Sequence, residues 1–150
     1  MDIRKISSSL SVAPQIEVAD LAAVAAQGFR TVVNNRPDGE APGQPGSDAM
    51  EAAARALGLA YLYIPVVSGR ITDEDIEAFR RALATVEGPV FAYCRSGTRS
   101  TCLWALAEAA RGGDIAGIVS AAAEAGYALD GLRPRLEACA RAATLSAEGA

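Results

Sequence analysis

A run of strand-forming residues that turns directly into a helix, with a cysteine at the join, constrains this chain more than any other feature. Behind the turn signal Gly88-Pro89, Val90 to Tyr93 is a short apolar stretch of β-formers. The polar segment Cys94-Arg95-Ser96-Gly97 follows without a linker, and from Thr98 the sequence Thr-Arg-Ser-Thr-Cys-Leu-Trp-Ala-Leu-Ala-Glu-Ala-Ala reads as a helix. A helix N-terminus presents unpaired amides and the positive end of its dipole, so the corner is built to cradle an anion. The same field favours a thiolate at Cys94, and the thiolate is the nucleophilic form. Arg99 brings a planar fork of donors suited to an oxyanion. Arg95, Ser96, Gly97 and Thr98 form the anion-binding loop, and Gly97 suits the tight turn that bends it. A cysteine merely buried at a strand end is the competing reading, but the flanking Arg-Ser-Gly-Thr-Arg is too polar for a core.

Composition narrows the chemistry. The chain has no histidine, which removes Ser-His-Asp and Cys-His hydrolysis and His-ligated zinc. Activation of Cys94 therefore falls to the helix field and the arginines. The three cysteines, Cys94, Cys102 and Cys139, show no metal-ligand spacing, so neither metal nor cofactor is expected, and their odd number suits a reducing compartment. Cys102 and Cys139 fall in helical stretches and read as packing residues. A net charge of −4 without a basic block argues against nucleic acid. No run has the length of a signal peptide core or a membrane span, which predicts no membrane partner and a cytoplasmic location.

The 150 residues fit a single domain. Ile6 to Val12 reads as a first strand ended by Pro14, Glu17 to Gln27 as a helix stopped by Gly28, and Arg30 to Asn34 as a second strand. Asn35 to Gly46 is a Pro- and Gly-rich loop, and Ser47 is placed to cap a helix over Asp48 to Leu57. A strand over Ala60 to Val66 precedes a helix over Asp73 to Val86 capped by Thr72. After the central strand come helices over Thr98 to Arg111, Asp114 to Ala125 and Leu132 to Ala143, with Ser146 to Ala150 a frayed tail. Such alternation predicts a three-layer α/β domain: four to five mostly parallel strands flanked by helices. Ligands in such sheets lie beyond the carboxyl ends of the strands. The loops Asn35 to Gly46 and Val67 to Arg70 should therefore line the Cys94 corner, with Arg36, Asp38, Ser68 and Arg70 as candidates.

With these residues in place, the chain resembles the cysteine-dependent phosphatases of the tyrosine and dual-specificity class, and in particular their bacterial branch, the beta-lactamase-hydrolase-like phosphatase domain. The likeness runs from Leu10-Ser-Val-Ala through Gly28-Phe-Arg-Thr-Val-Val-Asn-Asn-Arg-Pro-Asp-Gly-Glu40 and Tyr63-Ile-Pro-Val66 to Tyr93-Cys-Arg-Ser-Gly-Thr-Arg-Ser100. It implies a phosphatase-like fold with Cys94 as nucleophile, Arg99 as the anion-binding arginine and Ser100 as a hydroxyl that assists turnover of the cysteinyl intermediate. Two departures stand out. Four residues separate Cys94 from Arg99, where the phosphatases have five, and Tyr93 stands where they usually have histidine. The shorter loop is similar to that of rhodanese sulfurtransferases, whose cysteine carries a persulfide. In addition, Ser68 aligns best with the dual-specificity general acid. Asp73, Glu74 and Asp75 are possible substitutes, although first-turn acids are also an ordinary helix start; Asp38 is another, with a turn role as its alternative.

Three functions stay open. The first is a cysteine-thiolate hydrolase of phosphomonoesters. The second is a sulfurtransferase, which needs a stabilised thiolate and a positive pocket but no strong acid. The third is a non-catalytic module binding an anion or a phosphoprotein. All share a small oxyanion or a phosphorylated substrate as the partner.

Overall fold

The computed structural model describes residues 1–148, and side chains as far as Leu145. The expected fraying of Ser146 to Ala150 falls outside the residues whose side chains are described. Five strands form one sheet: β1 (Arg4–Lys5), β2 (Leu10–Ala13), β3 (Thr31–Asn34), β4 (Ala60–Tyr63) and β5 (Val90–Tyr93). Their order across the sheet is β1-β2-β5-β3-β4, with β1 antiparallel to β2 and every other pairing parallel. The central β5 is thus paired on both sides, by β2 and by β3.

Side chains alternate across this sheet with the strand period of two. Leu10, Val12, Val33, Val90 and Ala92 join one core, against α3 (Asp73–Thr85), α4 (Thr98–Ala110), α5 (Ile115–Glu124) and α6 (Arg133–Glu148). Ala13, Val32, Tyr61, Phe91 and Tyr93 join the other, against α1 (Leu21–Ala26) and α2 (Ser47–Ala56). The result is the expected three-layer sandwich. Helix α4 is apolar nearly all round, from Leu103 to Ala109, because it lies between the sheet and the outer helices. Among the described residues no helix is long and apolar enough to cross a membrane.

Several boundaries differ from the sequence reading. The first strand is not one element over Ile6 to Val12 but the hairpin β1-β2. Ser7 to Ser9 turn the chain, as Ile6 and Ser7 both donate their amides to Leu10 O and Ser9 N donates to Ser7 Oγ. The stretch 17–27 splits into one 3-10 turn, Val18–Asp20, and the short α1. β4 stops at Tyr63 because Pro65 has no amide to donate, although Ile64 N and Val66 N still reach the carbonyls of Asn34 and Asn35. Ser47 is not the cap of α2: Gly46 holds that position, and Ser47 is the first helical residue. The helix over 132–143 starts with a 3-10 turn, Asp130–Leu132, and runs from Arg133 to Glu148. Thr72 caps α3 as read, in a box with Asp75.

Candidate active site

Because β5 is the central strand and α4 follows it, Cys94 lies at the carboxyl end of the sheet, between the ends of β2 and β3. Its amide donates to Ala13 O at 3.4 Å, and Gln15 N donates to Arg95 O at 3.2 Å, which sews the loop to the end of β2. Gly97 caps α4 with φ of 90°, the left-handed conformation that turns the chain tightly enough to aim its amide inward. That amide donates to Cys94 Sγ at 3.1 Å. An N–H aimed at sulfur stabilises negative charge on it. Cys94 is 0% exposed, while Arg95, Ser96 and Thr98 lie at the surface. The sulfur therefore lies under the loop, not at its rim.

Arg99 faces this sulfur from the first turn of α4 and is 8% exposed. Its terminal nitrogens make a bidentate pair with Glu40, both bonds 2.8 Å, and Nη1 also donates to Val66 O at 2.8 Å. Arg36, 5% exposed, donates from Nε to the same carboxylate at 2.9 Å and from Nη1 to Gln15 Oε1 at 3.1 Å. One carboxylate thus holds two buried guanidinium groups. The bonds from Arg99, with Arg36 adding to them, outweigh burial and hold Glu40 at a pKa of about 2. The hydrogen bonds to Glu40, supported by the nearby Cys94 sulfur and opposed by burial, raise the pKa of Arg99. This carboxylate lies against the fork that the sequence assigns to an anion.

The other candidates separate into those at this corner and those away from it. Ser100 is fully buried, and its hydroxyl donates to Asn35 Oδ1 at 2.8 Å; Asn35 Nδ2 in turn donates to Ile64 O at 2.9 Å. Asp38 is exposed and its carboxylate accepts from Ser47 N at 2.9 Å, so it serves the start of α2. Ser68 and Arg70 are exposed in the turn after Val66, closed by the 2.9 Å bond from Arg70 N to Val67 O, and neither side chain has a hydrogen-bond partner among the described residues. Asp75 belongs to the Thr72 capping box, and Asp73 accepts from Arg135 at 3.4 Å. Cys102 and Cys139 are partly buried; burial, helped by Cys94, pushes the Cys102 thiol up to about 11, and burial also raises that of Cys139. Tyr93 points away into the α1/α2 core. Its hydroxyl is buried without a hydrogen-bond partner among the described residues, and burial drives its ionisation far up.

Glu40, Gln15 and Asn35 are site residues that the sequence reading did not assign. Glu40 had a local signal: it follows Arg36 by four positions across a Pro-Asp-Gly turn, which folds its carboxylate back onto that arginine. Gln15 and Asn35 had none, since they meet the loop only through the strand order. A groove of about 980 Å³ lies between α3, α4 and α6 and contains no residue of the Cys94 loop.

The mostly parallel five-stranded sheet with helices on both faces is a three-layer α/β phosphatase-like fold. A Neisseria meningitidis structure described as a candidate phosphatase superposes with a TM-score of 0.83 at 35% identity, over 93% of this chain and 99% of that one. The core catalytic domain of a PP-IP phosphatase from S. cerevisiae shares the fold alone, with a TM-score of 0.68 at 10% identity over 91% of this chain and 84% of that one. Residues 2–111 match the family model of the beta-lactamase hydrolase-like protein, phosphatase-like domain, and the chain belongs to that family. Beta-lactamase hydrolase-like proteins of Xylella fastidiosa and Agrobacterium fabrum are 48% and 47% identical over 108 residues, 72% of this chain. The chain matches only 25% of the length of those relatives.

Proposed function

We propose that this domain is a cysteine-dependent phosphatase-like hydrolase with Cys94 as its nucleophile. The observation that carries the reading is the Gly97 amide aimed at Cys94 Sγ beside the buried guanidinium of Arg99. The thiolate attacks phosphorus, a P–S bond forms, and the ester P–O bond breaks. Water then cleaves the phosphocysteine, releasing phosphate and returning the thiolate. Arg99, by exchanging its bonds to Glu40 for the phosphoryl oxygens, and the Gly97 amide carry the charge that develops on the equatorial oxygens. Of the candidate acids, Asp38 is engaged at α2 and Asp73 and Asp75 at α3, while Glu74 is exposed in the first turn of α3. Without a positioned acid, the rate falls by about 10²–10⁴ for poor leaving groups. The favoured substrates are therefore aryl esters and other phosphates whose leaving oxygen needs no proton. A reducing, cytoplasmic setting suits a nucleophile that must remain a free thiol. Nitrophenyl phosphate turnover that disappears in both Cys94→Ser and Arg99→Ala is the expected result; activity persisting in Cys94→Ser would remove the nucleophile from the scheme.

The short loop supports a second reading. With four residues between Cys94 and Arg99, the ring has one amide fewer than the phosphatase loop, and among the described residues the candidate acids Asp38, Asp73 and Asp75 are bonded elsewhere, so neither a full-length ring nor a positioned acid is assigned. Sulfane-sulfur transfer needs neither. The thiolate would take the outer sulfur of thiosulfate, expelling sulfite, and pass it to an acceptor such as cyanide. Intact mass after incubation with thiosulfate separates the two, since a gain of one sulfur at Cys94 belongs to this second reading alone.

A further inference from the structure

Tyr127 lies outside the family-matched region 2–111, yet it touches the Cys94 loop. Helix α5 ends in a left-handed Gly126, with φ of 97°; Gly126 N donates to Ala123 O at 2.9 Å and Tyr127 N to Ala122 O at 2.8 Å. This paired closure fixes the direction in which Tyr127 leaves the helix. Arg4 Nη1 donates to Ala125 O at 3.0 Å and ties the same corner to β1. From there the Tyr127 hydroxyl donates to Ser96 O at 3.3 Å, and its ring end packs so closely on Gly97 that a β-carbon there would collide with the hydroxyl.

Ser96 O and Gly97 N–H belong to one peptide unit. In a trans peptide the carbonyl and the amide point in opposite directions. The phenol therefore holds the outer end of the unit whose inner end points at Cys94 Sγ, 3.1 Å away. Donation to the carbonyl also polarises the amide and strengthens its own bond to sulfur. Burial, with the charge of Cys94 adding to it, raises the pKa of Tyr127, so the phenol keeps its proton at neutral pH. We propose that Tyr127 is a positioning residue that orients and polarises the Ser96–Gly97 peptide toward Cys94, so that the α5 corner completes the anion loop. The inference rests on Cys94 being the reactive sulfur.

The test compares wild type with Tyr127→Phe, which keeps the ring on Gly97 and removes only the hydroxyl. Alkylation of Cys94 by iodoacetamide is followed between pH 5 and pH 10, with the modified cysteine located by peptide mass. The other charged and titratable groups near the sulfur and the phenol, Arg99, Glu40, Arg36, Cys102, Arg4 and Asp2, are the same in both proteins. Loss of one hydrogen bond predicts an alkylation rate at neutral pH about threefold to tenfold lower, with the profile moved to higher pH. Nitrophenyl phosphate turnover should lose kcat with KM unchanged. A profile unmoved or moved to lower pH in Tyr127→Phe overturns this role, even where the melting temperature drops, because a purely structural tyrosine would act on stability alone. If Cys94 of the wild type is itself inert, both this inference and the nucleophile reading fail together.

Discussion

Glu40 concentrates the electrostatics of the Cys94 corner in one side chain, 26% exposed and shared by two buried arginines. Its pKa is lowered from 4.5 to about 2, so the stability it contributes is complete above pH 4.5 and disappears as pH falls toward 2. A shift of this size corresponds to roughly 3 kcal/mol. Glu40→Gln at neutral pH should cost about 3 kcal/mol, because it leaves two buried guanidinium groups without their counter-charge. For a chain of this length that is a fall of roughly 6–12 °C in Tm. The measurement is thermal unfolding of both proteins from pH 7 to pH 2.5, in which the difference between them should narrow below pH 4.5; a constant gap would assign the cost to packing. The placement of Cys94, Gly97 and Arg99 at the strand-to-helix join was legible because helix-start chemistry is local. Glu40 was only half legible, through its spacing from Arg36, because Arg99 lies 59 positions away and joins it only after the sheet has formed.

At the scale of elements, the sequence carried the alternation of strands and helices well and their ends poorly. Runs such as Val90 to Tyr93 and the α3 stripe of Ile76, Phe79 and Leu83 state their period directly. Turn and cap residues compete with neighbours that a linear reading does not see. Ser47 looked like the cap of α2, yet its hydroxyl is hydrogen-bonded to the Tyr61 hydroxyl at 2.8 Å, and the helix start is served by the Asp38 carboxylate across the loop. That same carboxylate was a candidate acid. The two roles separate in Asp38→Ala, which should lower stability by about 1 kcal/mol through the lost cap while leaving nitrophenyl phosphate turnover within twofold of wild type. A hundredfold fall in kcat in that variant would make Asp38 the acid after all, and the loop would then have to move during catalysis.

For the molecule as a whole, the question is where the domain ends. The family-matched region stops at 111, directly after α4, but the apolar surface of α4 is not yet covered there. Ile118 and Ala122 of α5, Leu129 of the connection and Leu136 of α6 are all buried in the core that contains Leu103, Leu106 and Ala109. Burying each of the three larger side chains contributes about 1.5–3 kcal/mol. Their sum is comparable with the roughly 5–15 kcal/mol that holds an ordinary domain together. Tyr127 would be lost with them, and with it the contact to Ser96 O. A chain cut after Arg111 should therefore lose cooperative unfolding, bind a hydrophobic dye such as ANS, and alkylate at Cys94 at a rate that denaturant does not change. If the shortened chain instead melts in one sharp transition with the full-length pH profile at Cys94, the last two helices are an appendage, and the anion loop is complete within the first 111 residues.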